Sequence, residues 1–307
     1  SHPLFAILRK SLHLSQKETV TIDQKKHHLR VSSKKQLPNL DALRLGLAAV
    51  VMLDHTAGLS QNQGLPHLSD ISILNKSTEA VYAFFVLSGY LIIRSIYIEK
   101  KNETFSIRNF YARRALRILP LYYFVGLLGL LFYHLFLPQL NTVFDNRYTL
   151  TEGVFMIIAM VPNVLFTYEP GGILEVLWSI GIEEQFYLSI ALLLMITRTE
   201  HLLKALIFIF VVSFLLFHNQ SLSFFKDYGL VYFFLIFGGI TAICHEKGFF
   251  NFFMKKKLLQ ITLLALILIL FFTDFLKSES SIVYHLTLTV IFSMFILMIS
   301  NVKQPFI

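Results

Sequence analysis

The chain has 307 residues, 55% of them hydrophobic, and a formal net charge of +8 at pH 7. Its mean hydropathy of +0.63 excludes a soluble globular protein, and its long apolar blocks are typical of membrane helices. Lys and Arg cluster between those blocks, as expected of cytoplasmic loops, so we expect contact with membrane lipid and no nucleic-acid partner. The single cysteine, Cys244, excludes internal disulfides and thiol-rich metal sites.

Residues 1–38 form a polar and strongly basic leader. They contain no apolar core long enough for a cleavable signal peptide. Their positive charge favours the cytoplasmic side of the membrane, where the leader can lie on anionic lipid; a disordered leader is equally compatible with the sequence. We therefore predict a cytoplasmic N-terminus followed by one membrane domain over 39–307.

Nine apolar segments follow the leader and predict an all-α, polytopic transmembrane helical bundle. The segments cover residues 40–59, 79–98, 118–137, 153–166, 176–196, 202–218, 228–245, 258–275 and 282–300.

The fourth segment, 153–166, is short and is interrupted by Pro162 and Asn163. It is either a thin span or a re-entrant segment that enters and leaves the membrane on one side. If all nine segments cross the membrane, the lysine run 255–257 falls outside the cell, against the positive-inside rule. A re-entrant fourth segment returns these lysines to the cytoplasm.

The first segment carries more charge than a plain membrane span tolerates, namely Asp41, Arg44, Asp54 and His55. Ionisable groups at membrane depth are rare and usually line a cavity or a reaction path. Arg44 and His55 stand eleven positions apart, which at about 100° per residue closes three helical turns to within roughly 20°. The two side chains therefore share one helix face, with Arg44 about 16 Å nearer the start of the helix. Interfacial charges at the helix ends are the alternative, which suits Asp41 better than His55.

Two further stretches place polar residues within or beside apolar segments. Ser88 and Gly89 lie in the middle of the second segment, where small residues usually allow close helix packing. Arg114 and Arg117 are three positions apart, so on a helix they share a face and can grip a phosphate or pyrophosphate. An ordinary collar of cytoplasmic charge is the alternative explanation for the arginines.

The stretch LWSIGIEEQFYL interrupts the fifth segment with two adjacent glutamates and contains the only tryptophan. Trp178 by itself is compatible with an aromatic residue at the membrane interface. Glu183 and Glu184 require a partner or a watery cavity, because a carboxylate beside lipid is costly. His55 and Arg44 are the candidate partners.

Four stretches in this order, LDALR…DH, FFVLSGYLI, FYARRALRILPLYY and LWSIGIEEQFYL, closely resemble the acyltransferase-3 family of integral membrane acyltransferases. The resemblance runs from about residue 40 to 301, with the specific motifs within 40–188. Members of the family typically modify sugars of cell-surface polysaccharides. Three of the family's motifs fall on residues of this chain: Arg44 with His55, Arg114 with Arg117, and Trp178 with Ser179 and Glu183.

The resemblance implies an O-acyltransferase of the bacterial cytoplasmic membrane. Its donor would be acetyl-CoA, or another acyl-CoA, on the cytoplasmic side. Its acceptor would be a sugar hydroxyl of a lipid-linked or surface glycan, such as lipopolysaccharide O-antigen or exopolysaccharide. We expect no metal, because the histidines form no His-x-x-x-His pair.

The implied catalytic roles fit the chemistry of the side chains. His55 would be the base that takes the acceptor's hydroxyl proton, and Glu183 would orient the imidazole or stabilise its charged form. Arg44 would hold donor phosphates or stabilise developing negative charge. Arg114 and Arg117 would bind the phosphates of CoA.

Trp178, Ser179 and Asp41 are expected to contact the substrate. The chain departs from the family at Tyr82, where many members have an acidic residue. It also stops at Ile307, where members usually continue into a helix with Ser-Tyr and Trp-His signatures. We therefore expect the membrane domain to be C-terminally incomplete.

Two other functions remain open on the residues alone. In a transporter or flippase, His55 and Glu183 would relay protons and the arginines would form a collar around a pore. An acyltransferase could instead act on a small-molecule acceptor such as an antibiotic. The arginine pair favours the enzyme over the transporter, because binding of acyl-CoA needs it and proton coupling does not; the sequence is silent on the acceptor.

Overall fold

The computed structural model describes residues 38–62, 64, 66, 71–140, 145, 147–252, 256–273 and 281–301. The predicted leader lies outside the described residues apart from Pro38, as does the first lysine of the run 255–257.

Every regular element in the described ranges is helical, which confirms the all-α prediction. The helices are α1 Pro38–Asn62, α2 Ser77–Lys101, α3 Ile107–Leu131, α4 Leu150–Ile158, α5 Pro162–Phe166, α6 Gly172–Glu175, α7 Leu177–Ile196, α8 Leu202–His218, α9 Phe224–Asp227, α10 Tyr232–Glu246, α11 Lys257–Phe272 and α12 Ser281–Asn301.

Within the described residues, five helical stretches are long and apolar enough to cross a membrane: Asn39–Gln61, Ser77–Lys101, Ile107–Gln139, Gly172–Ile196 and Ser281–Asn301. Three shorter apolar helices accompany them, Leu202–His218, Tyr232–Glu246 and Lys257–Phe272.

The third long helix begins much earlier than the apolar pattern predicts. Helix α3 starts at Ile107, where the hydroxyl of Ser106 accepts a hydrogen bond from the backbone of Asn109, and it continues through a π-helical turn to Gln139. Arg114 and Arg117 therefore belong to the helix itself and not to a preceding linker. Hydropathy missed this start because it detects the apolar stretch, whereas an N-cap and helix-forming charged residues define where the helix begins.

The fourth apolar segment is not one helix. It divides into α4, of nine residues, and α5, of five residues, with Pro162 at the start of α5. Helix α4 begins with a capping box, in which the Glu152 backbone N–H donates to the Thr149 hydroxyl and the Thr149 backbone N–H donates to the Glu152 carboxylate. The Thr149 hydroxyl also donates to this carboxylate. These bonds hold the pKa of Glu152 below its usual value.

The closest helix contact in the bundle joins α2 and α10. A methyl group added at Gly89 would overlap the backbone carbonyl of Leu235, and one added at Gly238 would overlap that of Val86. Only glycine allows two helix backbones to approach this closely. The close packing predicted for Gly89 is thus confirmed.

Helices α2 and α7 run in the same direction. The ammonium group of Lys100, at the end of α2, donates to the carbonyl oxygens of Leu194 and Thr197 at the end of α7. Halfway along, Tyr111 of α3 donates to the carbonyl of Leu188 at 2.7 Å. These contacts fix α2, α3 and α7 relative to one another.

Helix α1 is attached far less firmly. In the most apolar 18-residue stretch of α1, only 6% is buried inside the protein. The corresponding values are 56% for α2 and 44% for the helical stretch that contains α7. An apolar groove separates α1 from α11 and α12.

Candidate active site

The carboxylate of Glu183 lies between helices α2 and α7 and is fully engaged in hydrogen bonds. The Ser88 hydroxyl donates to Oε1 at 2.7 Å, and the Tyr187 hydroxyl donates to Oε2 at 2.8 Å. Tyr187 is buried, whereas Ser88 and Glu183 are only half-buried. The acid that the sequence singled out therefore has a hydroxyl partner that a small molecule can approach.

Three arginines lie on one side of this carboxylate. The guanidinium of Arg114 stacks over the Tyr187 ring, with its central carbon 5.5 Å from the ring centroid. Arg117 and Arg44 lie close enough to Arg114 to interact with it electrostatically, and Arg44 also acts on Glu183. The predicted pair on α3 and the arginine of α1 thus converge at the same end of the site, where they can receive an anion.

Asp41 belongs to this arginine end. Its carboxylate accepts a hydrogen bond from Arg44 at 2.9 Å, one helical turn away. The pairing orients the guanidinium of Arg44 and leaves Asp41 about four turns from His55 along α1. The contact of Asp41 with substrate therefore stays a prediction. The structure shows the Asp41 carboxylate bonded to the guanidinium of Arg44.

His55 lies at the opposite end of the site, in the wall of a cavity of about 380 Å³. Ser77 and Val81 of α2 and Trp178 of α7 line the same cavity. Its charged lining residues are Glu175, Lys226 and Asp227. A concave, polar and partly aromatic cavity of this kind suits a sugar better than an apolar ligand.

Trp178 and Ser179 differ in their surroundings. Trp178 contacts Phe85 edge to face, with ring centroids 5.9 Å apart, and packs beside Phe166. Ser179 donates a long hydrogen bond of 3.4 Å to the carbonyl of Val176 at the start of α7. Trp178 thus lines the cavity, whereas the Ser179 hydroxyl is engaged with its own helix.

The serine–glutamate pair lies further along α2 and α7 than the residues that line the cavity. Val81 and Ser88 are two turns apart on the same strip of α2, which places Ser88 about 10 Å further along the helix. Glu183 follows Trp178 by five residues, or about 7.5 Å along α7. The order along the bundle is therefore cavity, serine–glutamate pair, and arginines.

No hydrogen bond joins His55 to Glu183 among the described residues. Both oxygens of Glu183 are bonded to Ser88 and Tyr187, and His55 is not among the hydrogen-bond partners that Glu183 has in the described ranges. The imidazole is exposed on the loosely packed α1. Orientation of His55 by Glu183 therefore stays a prediction.

Sequence reasoning missed the polar network that shapes the cavity wall. The Gln185 amide donates to Asn163 at 2.8 Å and accepts from the Tyr232 hydroxyl at 2.5 Å. Asn163 in turn donates to the backbone carbonyl of Tyr228 at 3.0 Å, and both residues line the cavity. No spacing in the sequence links these residues, because they come from α5, α7, α10 and the turn after α9.

Tyr187 was also missed, although a signal for it existed. It follows Glu183 by four residues, and side chains at this spacing share a helix face. As for metals, no group of three or more His, Cys, Asp or Glu side chains is arranged to hold an ion within the described part of the chain.

Comparison with known proteins adds three relatives. The peptidoglycan O-acetyltransferase OatA of Listeria monocytogenes is 28% identical over 164 residues, which are 51% of this chain and 24% of the relative. The O-acetyltransferase OatA of Staphylococcus aureus is 28% identical over 173 residues, 54% of this chain and 26% of the relative. An uncharacterised protein of Haemophilus influenzae is 27% identical over 143 residues, 44% of this chain and 55% of the relative.

The chain thus spans about a quarter of the length of the two OatA proteins that it matches. No solved structure matches it. A family profile described as an acyltransferase domain matches residues 37–307. Because this match covers far more than half of the sequence, the chain belongs to the acyltransferase-3 family.

Proposed function

We propose that this chain is a membrane O-acetyltransferase that moves an acetyl group from cytoplasmic acetyl-CoA to a sugar hydroxyl of a surface polysaccharide, such as lipopolysaccharide O-antigen or exopolysaccharide. The observation that carries the proposal is the order of polar groups along α2, α3 and α7. Arginines stand at one end, Glu183 stands in the middle, and the cavity that contains His55 stands at the other end. O-acetyl transfer in the OatA relatives is consistent with this arrangement.

The arginine end is the donor end. Arg114 and Arg117 bind the phosphates of CoA, because guanidinium groups match phosphate oxygens in geometry and charge. Arg44, oriented by Asp41, adds a third positive charge or stabilises the negative charge that develops on the acyl group. The pantetheine arm then enters the bundle towards Glu183.

The cavity end is the acceptor end. His55 is the base that takes the proton of the acceptor hydroxyl. Trp178 offers an aromatic face to the sugar ring, and the charged residues Glu175, Lys226 and Asp227 offer hydrogen bonds to its hydroxyls. Ser179 supports the start of α7.

We further propose that α4 and α5 form a re-entrant pair, so that donor and acceptor ends face the cytoplasm and the outside, respectively. Contacts of α4 support its entry into the membrane. Gly153 packs against Leu130, near the end of α3, while Ile157 packs against Gly126, one turn deeper.

Contacts of α5 support the return to the same side. Pro162 packs against Gly181, and Phe166 packs beside Trp178, one turn nearer the start of α7. The shared direction of α2 and α7 supports the same return of the chain. With a cytoplasmic N-terminus, α2 and α7 then both end in the cytoplasm.

Mass spectrometry of surface glycans tests the proposed function. Cells lacking the natural protein would produce the wild-type chain, His55→Ala, or the control His201→Ala, whose histidine is exposed and pairs with Glu200. We expect acetylated glycan with the wild type and the control, and a loss of about 100-fold or more with His55→Ala, the typical contribution of a general base.

Two results would contradict these assignments. Acetylation that persists in His55→Ala, with equal amounts of protein in the membrane, refutes the role of His55. Glycan that carries no acetyl group in cells with the wild-type chain refutes the proposed function and favours a transporter or another acceptor.

A further inference from the structure

We propose that Ser88 carries the acyl group as a transient serine ester, so that transfer proceeds in two steps across the bundle. This inference rests on the proposed function and adds the group that links its two ends. The side chain concerned lies on α2, bonded to a carboxylate on α7, between the arginines and the cavity.

The hydrogen bond of Ser88 differs from those that several other serine and threonine hydroxyls of the apolar helices make. Thr56, Ser189 and Thr262 each donate to the carbonyl four residues earlier in their own helix, the usual solution for a hydroxyl at membrane depth. Ser88 instead donates to Oε1 of Glu183 on a neighbouring helix at 2.7 Å. A hydroxyl bonded to a carboxylate in this way is an activated nucleophile beside its base.

Tyr187 distinguishes this pair from simple interhelical packing. Its hydroxyl occupies Oε2 of Glu183, which leaves Oε1 to the serine. The carboxylate is thereby held in one orientation, the role that a third group plays in catalytic triads. Tyr187 itself is only 3% exposed, whereas Ser88 is half-buried, so the serine is the hydroxyl that an acyl group can reach.

Ser88 lies between the two ends of the site, where the donor and the acceptor can each reach it in turn. The arginines that bind the phosphates of the donor and the histidine that receives the acceptor lie at opposite ends of the site, and Arg44 and His55 alone are about 16 Å apart along α1. Reacting atoms must come within about 3–3.5 Å, so direct transfer requires the thioester and the sugar hydroxyl to be present at one point together. An ester on Ser88 removes this requirement, because CoA can leave before the sugar hydroxyl arrives.

The first step acylates the serine. Glu183 takes the hydroxyl proton while Oγ bonds to the acyl carbon of the thioester. The carbon–sulfur bond breaks, and CoA leaves as the thiolate, which takes a proton from water on the donor side.

The second step releases the acyl group to the acceptor. A sugar hydroxyl that reaches the ester from the cavity passes its proton to His55 through a chain of water molecules. Its oxygen bonds to the acyl carbon, the bond between that carbon and Oγ breaks, and Glu183 returns the proton to Ser88. The proton on His55 then passes to water in the cavity.

The test traps the ester in the purified full chain. The protein, in lipid nanodiscs, is mixed with isotope-labelled acetyl-CoA in the absence of glycan and analysed by peptide mass spectrometry. We expect one labelled acetyl group on Ser88, removable by hydroxylamine. The same sample should also exchange label between acetyl-CoA and free CoA, since acylation without acceptor is reversible.

Matched variants give the inference its sharpest form. Ser88→Ala should lose the label, the exchange reaction and glycan acetylation together. Ser88→Cys retains a nucleophile and should acquire the label as a thioester. Ser95→Ala, on the same helix with its hydroxyl bonded to Glu99, is the control and should behave as the wild type.

The failures are distinguishable. If cells with Ser88→Ala still acetylate glycan, or if the label lies on Tyr187, the serine ester is refuted and the proposed function stands. If the wild type acetylates glycan without label or exchange in the purified protein, transfer is direct and the ester is again refuted. If the wild type neither acetylates glycan nor accepts label, both proposals are refuted.

Discussion

Two adjacent glutamates on α7 have opposite surroundings. Glu183 is half-buried, and each of its carboxylate oxygens accepts a hydrogen bond. Glu184 points to another side of the helix, is 7% exposed, and has one oxygen, Oε1, without a hydrogen-bond partner among the described residues. A buried acceptor without a partner costs about 1–3 kcal/mol. The carboxylate of Glu183 is therefore positioned by its hydrogen bonds, whereas that of Glu184 destabilises the folded state.

This contrast predicts different outcomes for two equal substitutions. Glu183→Gln removes the base beside Ser88 and should lower glycan acetylation about 100-fold or more. Glu184→Gln should leave acetylation near the wild-type level, and the thermal stability in detergent should not fall, because a neutral amide is easier to bury than a carboxylate. Glycan mass spectrometry and thermal unfolding measure the two effects. Equal loss of activity in both variants would show that Glu183 has no special role.

At the scale of helices, the site depends on a contact that contains none of its residues. Gly89 directly follows Ser88 on α2 and packs against the backbone of α10. Backbone atoms cannot turn aside as a side chain can, so any larger residue at this position must separate the two helices. The rotation of α2 that aims Ser88 at Glu183 is therefore set by packing on a neighbouring face of the helix, about 100° away.

Gly89→Ala should accordingly destabilise the protein by about 1–3 kcal/mol, the usual cost of overpacking, and should reduce activity as well. Gly46→Ala is the matched control, because a methyl group there meets no atom within 4 Å. In that position alanine should be neutral or should stabilise the helix by up to about 1 kcal/mol. Unfolding in detergent measures both variants. Equal stability of the two would contradict the close approach of α2 and α10.

For the molecule as a whole, hydropathy predicted the positions of helices better than their roles. Eight of the nine apolar segments correspond to single helices, because burial in lipid imposes one simple pattern on each span. The first segment drew attention through its charges, yet α1 contributes little to the core. Lipid can cover an apolar helix as well as protein can, so hydropathy does not indicate which helices are central.

Contacts between distant residues were beyond the sequence. The sequence drew attention to both Ser88 and Glu183. It could not predict their hydrogen bond, because the two residues are 95 positions apart and no sequence pattern pairs them. Lys226 and Asp227 reach the cavity from a short helix between two apolar segments. Such contacts depend on how helices rotate and stack, and in a bundle this is decided by packing of small and large residues from all partners at once.

The proposed re-entrant pair makes a prediction about topology, because it decides the side of every later loop. With a re-entrant pair, Lys256, directly before α11, should face the cytoplasm. If all nine segments crossed the membrane, it would face outward instead. In a Cys244→Ser background, Lys256→Cys should react with a membrane-impermeant thiol reagent only after the membrane is opened.

Two control variants report the two sides of the membrane. Asn102→Cys, between α2 and α3, should also react only after the membrane is opened. Gln61→Cys, at the end of α1, should react without opening of this membrane, in cells whose outer layers let the reagent through. All three positions are exposed, so their reactivity reports the side of the membrane. Labelling of Lys256→Cys from outside would refute the re-entrant pair and place the donor arginines and the end of α7 on opposite sides.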